Sequence, residues 1–367
     1  MVFALVLVPL ALAGVAWFAP DGRLRRWLIP AGGAIHAALT FAILKNPPPS
    51  APDSWLVVDQ LGRLVLGFIS AYYLLCSLYA PGYLAEHPDR NQRHFCSAML
   101  FFLSMMTLII VSHHLGVMWV AMEATTLAAA PLVYFNHTPR SLEATWKYLL
   151  IGSVGIALAL LGSFFLAYSA LHEGLGSSLL FEDLVRNASL LSKPWLHAAF
   201  VVLFVGYGTK MGLAPMHTWK PDAYGEAPGL VGALLAGGLT NCAFLAILRF
   251  HQVVLAAGEG AFARQVMVVM GLLSMSVAAV FMVRQRDFKR MLAYSSVEHM
   301  GILILGIGIG GLGAFASLLH MINNGFTKGV LFLSAGNIQR AYLSKVTDQV
   351  GGALRLVPVS AALFLAG

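Results

Sequence analysis

The sequence predicts an all-α polytopic membrane protein, and three observations predict it. Of its 367 residues 59% are hydrophobic and only 11% are charged, where a soluble domain carries roughly 25% charge. Mean hydropathy is +0.78. Apolar runs of about 18 residues or more recur along the whole chain, each long enough to cross a bilayer as a helix. The roughly 10-residue alternating segments of a membrane β-barrel do not occur. The net charge of +7 is not a nucleic-acid signal, because the basic residues sit singly or in short clusters between apolar runs, where membrane topology places them.

Apolar runs of about 20 residues divide the chain into eleven spans and the start of a twelfth: 1–19, 27–44, 58–81, 94–112, 114–135, 142–170, 195–216, 228–250, 262–283, 290–309, 311–338 and from 354 onward. The first has no basic residues before it and reads as a span, not a cleaved leader. Pro47–Asp59 reads as an extended loop, and Gly174–Pro194, with FEDLVRN inside it, as a short amphipathic helix or loop. The glycine-rich GIGIGGLG at 306–313 joins two apolar helices and reads as a turn. The chain stops at Gly367 inside an apolar run, which reads as a fragment or an early end. Arg23, Arg25, Arg26, Arg90, Arg93, Arg140, Lys220, Arg284, Arg286, Lys289, Arg290, Arg340, Lys345 and Arg355 fall in the odd-numbered loops, against Lys45, Arg186, Lys193, Arg249 and Arg264 in the even ones. That bias predicts cytoplasmic odd loops and an N-terminus outside.

The informative residues are the ionisable ones inside spans. Lys210 lies in the Gly-rich apolar stretch of span seven, five residues before Pro215 and seven before His217. A charge there lacks bulk water and needs a partner or a hydrated cavity, and the proline is expected to break the helix just beyond it. Glu123, near the middle of span five, is the candidate partner. A charged residue at a helix centre costs roughly 2.5 to 3.5 kcal/mol on insertion scales, so an ion pair would offset both. Such a pair is either a structural lock or a proton site. Lys147 follows Glu143 by four residues, so it is either an interfacial side chain on an i,i+4 pair or a modulator of the central pair. His320, Asn324 and Lys328 recur at steps of four on span eleven and share one face, which reads as a hydrated relay in preference to packing. Glu298 and His299, about two turns into span ten, fit either an entry path or helix packing. His217 continues the Lys210 face only weakly, because Pro215 intervenes. His113 and His114 fall in a short turn and read as interfacial.

No Walker A, Rossmann or HExxH pattern occurs. Cys76, Cys96 and Cys242 are far apart with no metal spacing, so neither a disulfide framework nor iron–sulfur ligation is expected.

Five segments carry a family signal in combination: MEATTL, LEATWKYLLIGSVGI, GTKMGLAPMHTWKPDAYGEAP, KRMLAYSSVEHMG and HMINNGFTKGVLFLSAG. Over roughly residues 55–367 the chain resembles the antiporter-like, proton-translocating membrane subunits shared by respiratory complex I, energy-converting hydrogenases and Mrp-type cation/proton antiporters. The WKY, MHTW and YSSVEHMG forms most resemble the hydrogenase-4 component F group. The resemblance implies about fourteen helices with two inverted five-helix repeats and broken helices. It divides this chain into N-terminal helices (1–93), a first repeat (94–250) and a truncated second repeat (262–367). It implies that Glu123 modulates a proton on Lys210 and that His320 and Lys328 lie on the central hydrophilic axis.

Two positions depart from that pattern. Ala236 stands where many members have an ionisable residue in span eight, with Thr240 and Asn241 the nearest polar groups. Asn324 stands where a second histidine is common. The resemblance further implies no cofactor in this chain, nickel–iron and iron–sulfur centres in partner subunits, no nucleic acid, and a prokaryotic inner-membrane location. The alternatives are a Na⁺(K⁺)/H⁺ antiporter subunit of Mrp type and a non-pumping scaffold of a hydrogenase.

Overall fold

The computed structural model describes residues 1–20, 22–49, 54–176 and 178–367. Among them every regular element is helical, and extended pairing is confined to three isolated bridges, Leu56 with Ser112, His114 with Leu180 and Asp287 with Val346. Six helices come first: α1 (Val2–Phe18), α2 (Gly22–Lys45), α3 (Gln60–Ala85), α4 (Gln92–Val111), α5 (Leu115–Val133) and α6 (Pro139–Leu171). A short α7 (Phe181–Arg186) lies in the expected loop. The seventh span is broken into α8 (Lys193–Met211) and α9 (Trp219–Glu226). The eighth runs from α10 (Gly229–Ala233) through a π-helical turn at Leu234–Leu239 into α11 (Thr240–Ala256). Then come α12 (Gly260–Met282), α13 (Phe288–Ile309) and α14 (Leu312–Tyr342). After α15 (Ala353–Leu356), the start of the twelfth span is α16 (Pro358–Ala366). Eight helices of the described chain are long and apolar enough to cross a membrane, and the fold is the all-α polytopic one the composition predicts.

In lipid, apolar side chains gain little by meeting one another, so helices associate through close backbone approach at small residues. Gly152, Gly155, Ala159 and Gly162 line α6 where it meets α8. A Cβ on Gly206 would sit 2.6 Å from the Ala159 amide nitrogen and 2.7 Å from the Gly155 carbonyl oxygen. The same device joins α12 to α13, where a Cβ on Gly271 would come within 2.8 Å of the Gly301 oxygen.

The seventh span breaks differently from the expectation that Pro215 ends it. The helix stops four residues earlier. Gly212 adopts φ +83°, and the amides of Gly212 and Leu213 both return to the Gly208 oxygen, at 2.8 and 2.9 Å. Left-handed glycine closure is a common helix terminator. The proline only follows it.

Three cations counted as loop charges are internal. Lys220, on α9, is 0% exposed, and Lys289 is 1% exposed. Arg249 lies on α11 at 2% exposure. Its guanidinium donates to the carbonyls of Ile109, Ile110 and Ser112, closing the end of α4, and pairs with Asp59 at 3.0 Å. A pre-organised guanidinium fork suits that many acceptors at once. Beside it, burial and the nearby Arg249 charge push the His113 imidazole down to about 4, so it is neutral at physiological pH and packs against Phe181. His114 stacks on Trp55 at 4.5 Å.

Gly206→Ala tests the α6–α8 contact. The neighbours of the added methyl are backbone atoms that cannot swing away, so the variant is expected to lose about 1–3 kcal/mol of stability, read as a lowered thermal midpoint in detergent. The same change at Gly174, which has no atom within 4 Å of the added carbon but a φ of +75°, probes backbone strain alone.

Candidate functional site

Helices α5, α6 and α8 bring the first candidates together. Lys210, on the last turn of α8, is 0% exposed. Its ammonium donates to the Thr126 hydroxyl on α5. Thr126 donates in turn to Glu123 Oε2 at 3.2 Å, and Ser153 on α6 donates to Glu123 Oε1 at 2.6 Å. The expected Glu123–Lys210 association is therefore a hydroxyl-bridged triad. Ion pairs at 4.0 Å or less do not include these two residues, although they remain in electrostatic reach. Thr126 is three residues beyond Glu123, on the same helix face. That spacing was available in MEATTL, but a threonine in an apolar helix is usually bonded to its own backbone and drew no attention. Gly152 leaves the room: a Cβ there would lie 3.3 Å from Thr126 Cγ2 and 3.4 Å from Lys210 Nζ. The Tyr148 ring lies under the ammonium at 5.0 Å, a cation–π distance.

A second cluster forms on α13 and α14. Lys328 is 1% exposed and donates to the Ser295 hydroxyl at 2.7 Å. His299 and His320 share a hydrogen bond of 3.0 Å between Nδ1 and Nε2. The structure thus joins His299 to the span-eleven stripe. Glu298 makes no ion pair among the described residues but is in electrostatic reach of Lys328. Asn324 lies on the same stripe, 3% exposed, with both polar side-chain atoms unpaired among the described residues.

The remaining candidates separate from these clusters. Lys147 binds Glu143 at 2.6 Å and Asp222 at 2.8 Å. Asp222 also binds Arg290 at 3.0 Å, so Lys147 ties α6 to α9 and does not touch the triad. His217 lies beside the stacked Phe281 and Tyr294 rings, with Nδ1 unpaired among the described residues. In span eight Thr240 and Asn241 donate to their own helix carbonyls, at Ala236 and Gly237. Ala236 is buried among apolar residues. Among the described residues no group of three or more His, Cys, Asp or Glu side chains could hold a metal ion.

A multi-pass helical bundle with a broken span and two buried lysine-centred clusters defines a membrane protein organised around ionisable groups in its interior. The chain belongs to the NADH:quinone oxidoreductase/Mrp antiporter transmembrane family, whose model matches residues 112–367. It is 37% identical over 322 residues to a hydrogenase-4 component F homolog of Methylacidiphilum infernorum, covering 85% of this chain and 67% of that one. It is 32% identical over 323 residues to NADH-quinone oxidoreductase subunit N of Desulforudis audaxviator, covering 87% of this chain and 63% of the relative. The chain thus spans about two-thirds of these relatives' length. Its fold matches, with a TM-score of 0.89 and 19% identity over 99% of this chain and 76% of the other, a chain of the membrane-bound sulfane sulfur reductase, an archaeal respiratory membrane complex.

Thr126 carries a direct test of the bridge. Thr126→Val keeps the shape but leaves the Lys210 ammonium without its acceptor. A buried group so stranded costs about 1–3 kcal/mol, more if charged, so a clear drop in thermal midpoint is expected. Thr126→Ser keeps the hydroxyl and is expected to stay near the parent.

Proposed function

We propose that this chain is a proton-translocating antiporter-like subunit of an energy-converting hydrogenase or a related respiratory redox complex. The observation that carries the reading is a lysine buried at the end of a broken helix and linked to a carboxylate only through a hydroxyl. Such an amine can exchange its proton without first breaking a salt bridge. Glu123 sets the field at Lys210, and the threonine hydroxyl transmits its movements. One unit of change in proton affinity is about 1.4 kcal/mol, so modest displacement of Glu123 alters occupancy of Lys210 strongly. The proton would enter from the cytoplasm, rest on Lys210 and leave by way of Lys328, His299 and His320. Redox energy would come from partner membrane and peripheral subunits that hold the metal centres.

Two inverted repeats, 94–250 and 262–367 after the N-terminal helices 1–93, belong to the same reading. So do an N-terminus outside and a place in the prokaryotic inner membrane. Sodium exchange of the Mrp kind is the second reading, raised by the family's own description. A sodium site wants several carboxylate or carbonyl oxygens. Here the central carboxylate already accepts from Thr126 and Ser153, and the neighbouring charges are cationic, which disfavours sodium.

The test is Lys210→Ala in the assembled complex, in inverted membrane vesicles driven by the complex's own electron donor. Protons moved per electron are expected to fall by at least about tenfold, a conservative figure beside the roughly 10²–10⁴-fold that positioned proton-transfer groups contribute to rate. An unchanged ratio would sink the reading. Replacing sodium with choline in the same assay is expected to change nothing, and a sodium requirement would favour exchange.

A further inference from the structure

We propose that Lys220 is an additional proton site. On the translocating reading above, it would carry the proton between Lys210 and Lys328 and stand in for the ionisable residue that span eight lacks at Ala236. Lys220 lies in the first turn of α9 and is fully buried. The break folds α9 back under α8, so that its ammonium donates to the Met211 carbonyl at 2.9 Å. Met211 is the neighbour of Lys210 in the chain, so Lys220 sits at the end of the half-helix that carries the first site. Facing the other way, it is in electrostatic reach of Lys328 and His299.

Its bonding is unlike that of a structural cation. Arg249 has four oxygen partners, one of them a carboxylate. Lys289 has two oxygen acceptors, Ala227 and Gln339. Lys220 has one, the Met211 carbonyl, and takes part in none of the ion pairs at 4.0 Å or less among the described residues. An ammonium has three donors, so two N–H groups are free to exchange.

Hydroxyls mark the ground between the lysines. The Tyr148 ring lies under Lys210 at 5.0 Å, and the Tyr224 ring lies under Lys220 at 5.6 Å. Both rings flank Trp219, at 5.2 and 6.0 Å, and the two phenols are in electrostatic reach of each other. Each phenol oxygen and Ser296 Oγ are buried and form no full hydrogen bond among the described residues, although the Tyr224 phenol and Ser296 lie within interaction reach of each other, and Ser295, beside Ser296 in the chain, receives the Lys328 ammonium. Buried hydroxyls are rarely left unpaired, and three of them around the lysines supply the polar lining a hydrated path needs.

The steps balance simply. An N–H bond of the Lys210 ammonium breaks, the proton passes by way of these hydroxyls, and an N–H bond forms on the Lys220 amine. The same exchange then moves the proton from Lys220 to the Lys328 amine. No electron or other group moves. Two ammonium groups in reach of one another in a dry interior repel, so a proton arriving on Lys220 favours release from Lys328.

The competing role is a cap on the α8 carbonyls. Lys220→Arg separates the two, because a guanidinium keeps the charge and the donor to Met211 but does not give up a proton. Lys220→Met keeps approximate volume and removes both. Each is made in the full chain within the assembled complex, and protons moved per electron are followed by acridine-dye quenching in inverted vesicles. Both variants are expected to lower the ratio by at least about tenfold. A parental ratio in either overturns the proposal. If Met does not assemble, Arg decides alone; if Arg does not, a parental ratio in Met still overturns the proposal. Lys210→Ala run in parallel keeps two failures apart. If it abolishes transport while Lys220→Arg does not, only the Lys220 assignment falls. If it too transports normally, the translocating reading falls.

Discussion

The structure depends on how one broken helix satisfies its backbone where no bulk water reaches. Inside a bilayer, irregular backbone persists only where protein or a hydrated cavity supplies partners. At the break in span seven those partners are specific. Trp219 Nε1 donates to the Thr209 carbonyl, Lys220 to the Met211 carbonyl, and Ser274 accepts from the Ala214 amide. The returning half-helix is then pinned by charge. Asp222 takes Lys147 and Arg290, and Glu226 takes Lys345, which also binds Asp287. Helices α6, α13 and the segment after α14 are thereby fixed to α9. Lys210 stays buried because this arrangement closes the break beneath it.

The bilayer's length rule made the span order legible, since a run of about 20 apolar residues has few other uses. Inside the spans, legibility depended on charge. Lys210, Glu123 and Lys328 stood out because ions are rare there. Thr126, Ser153 and Ser295, which hold those ions, did not, because a hydroxyl costs little in a helix and commonly bonds its own backbone. Lys220 misled for a related reason. Read one-dimensionally, a lysine just after a proline-broken span lies in a loop. Only the backward fold of α9 buries it. Arg249 was hidden likewise, at the end of an apolar run where a topogenic arginine would also fall. Glycine was the silent partner throughout. Gly152 and Gly206 carry no pattern beyond small size, yet each leaves space that a neighbour fills.

The π-helical turn in span eight shows how a fold can accommodate a missing charge. A π turn inserts a residue and frees carbonyls from the regular ladder, and such turns are frequent at functional sites. Here the freed oxygens are consumed locally: Tyr72 donates to Ala233, Thr240 to Ala236 and Asn241 to Gly237. Gly237 lets the Tyr72 ring approach, since a Cβ there would lie 2.5 Å from it. Three oxygens of the turn are thus taken locally, while Asn241 Oδ1 stays buried without a partner among the described residues. A buried cation sits on the adjoining half-helix, where Lys220 lies against Gly212 so closely that a Cβ on that glycine would come within 2.5 Å of the lysine side chain. Gly212 both ends α8 and admits Lys220, so the helix break and the buried cation beneath it are one structural solution. A side chain at 212 would have to give up the left-handed turn or expel the lysine.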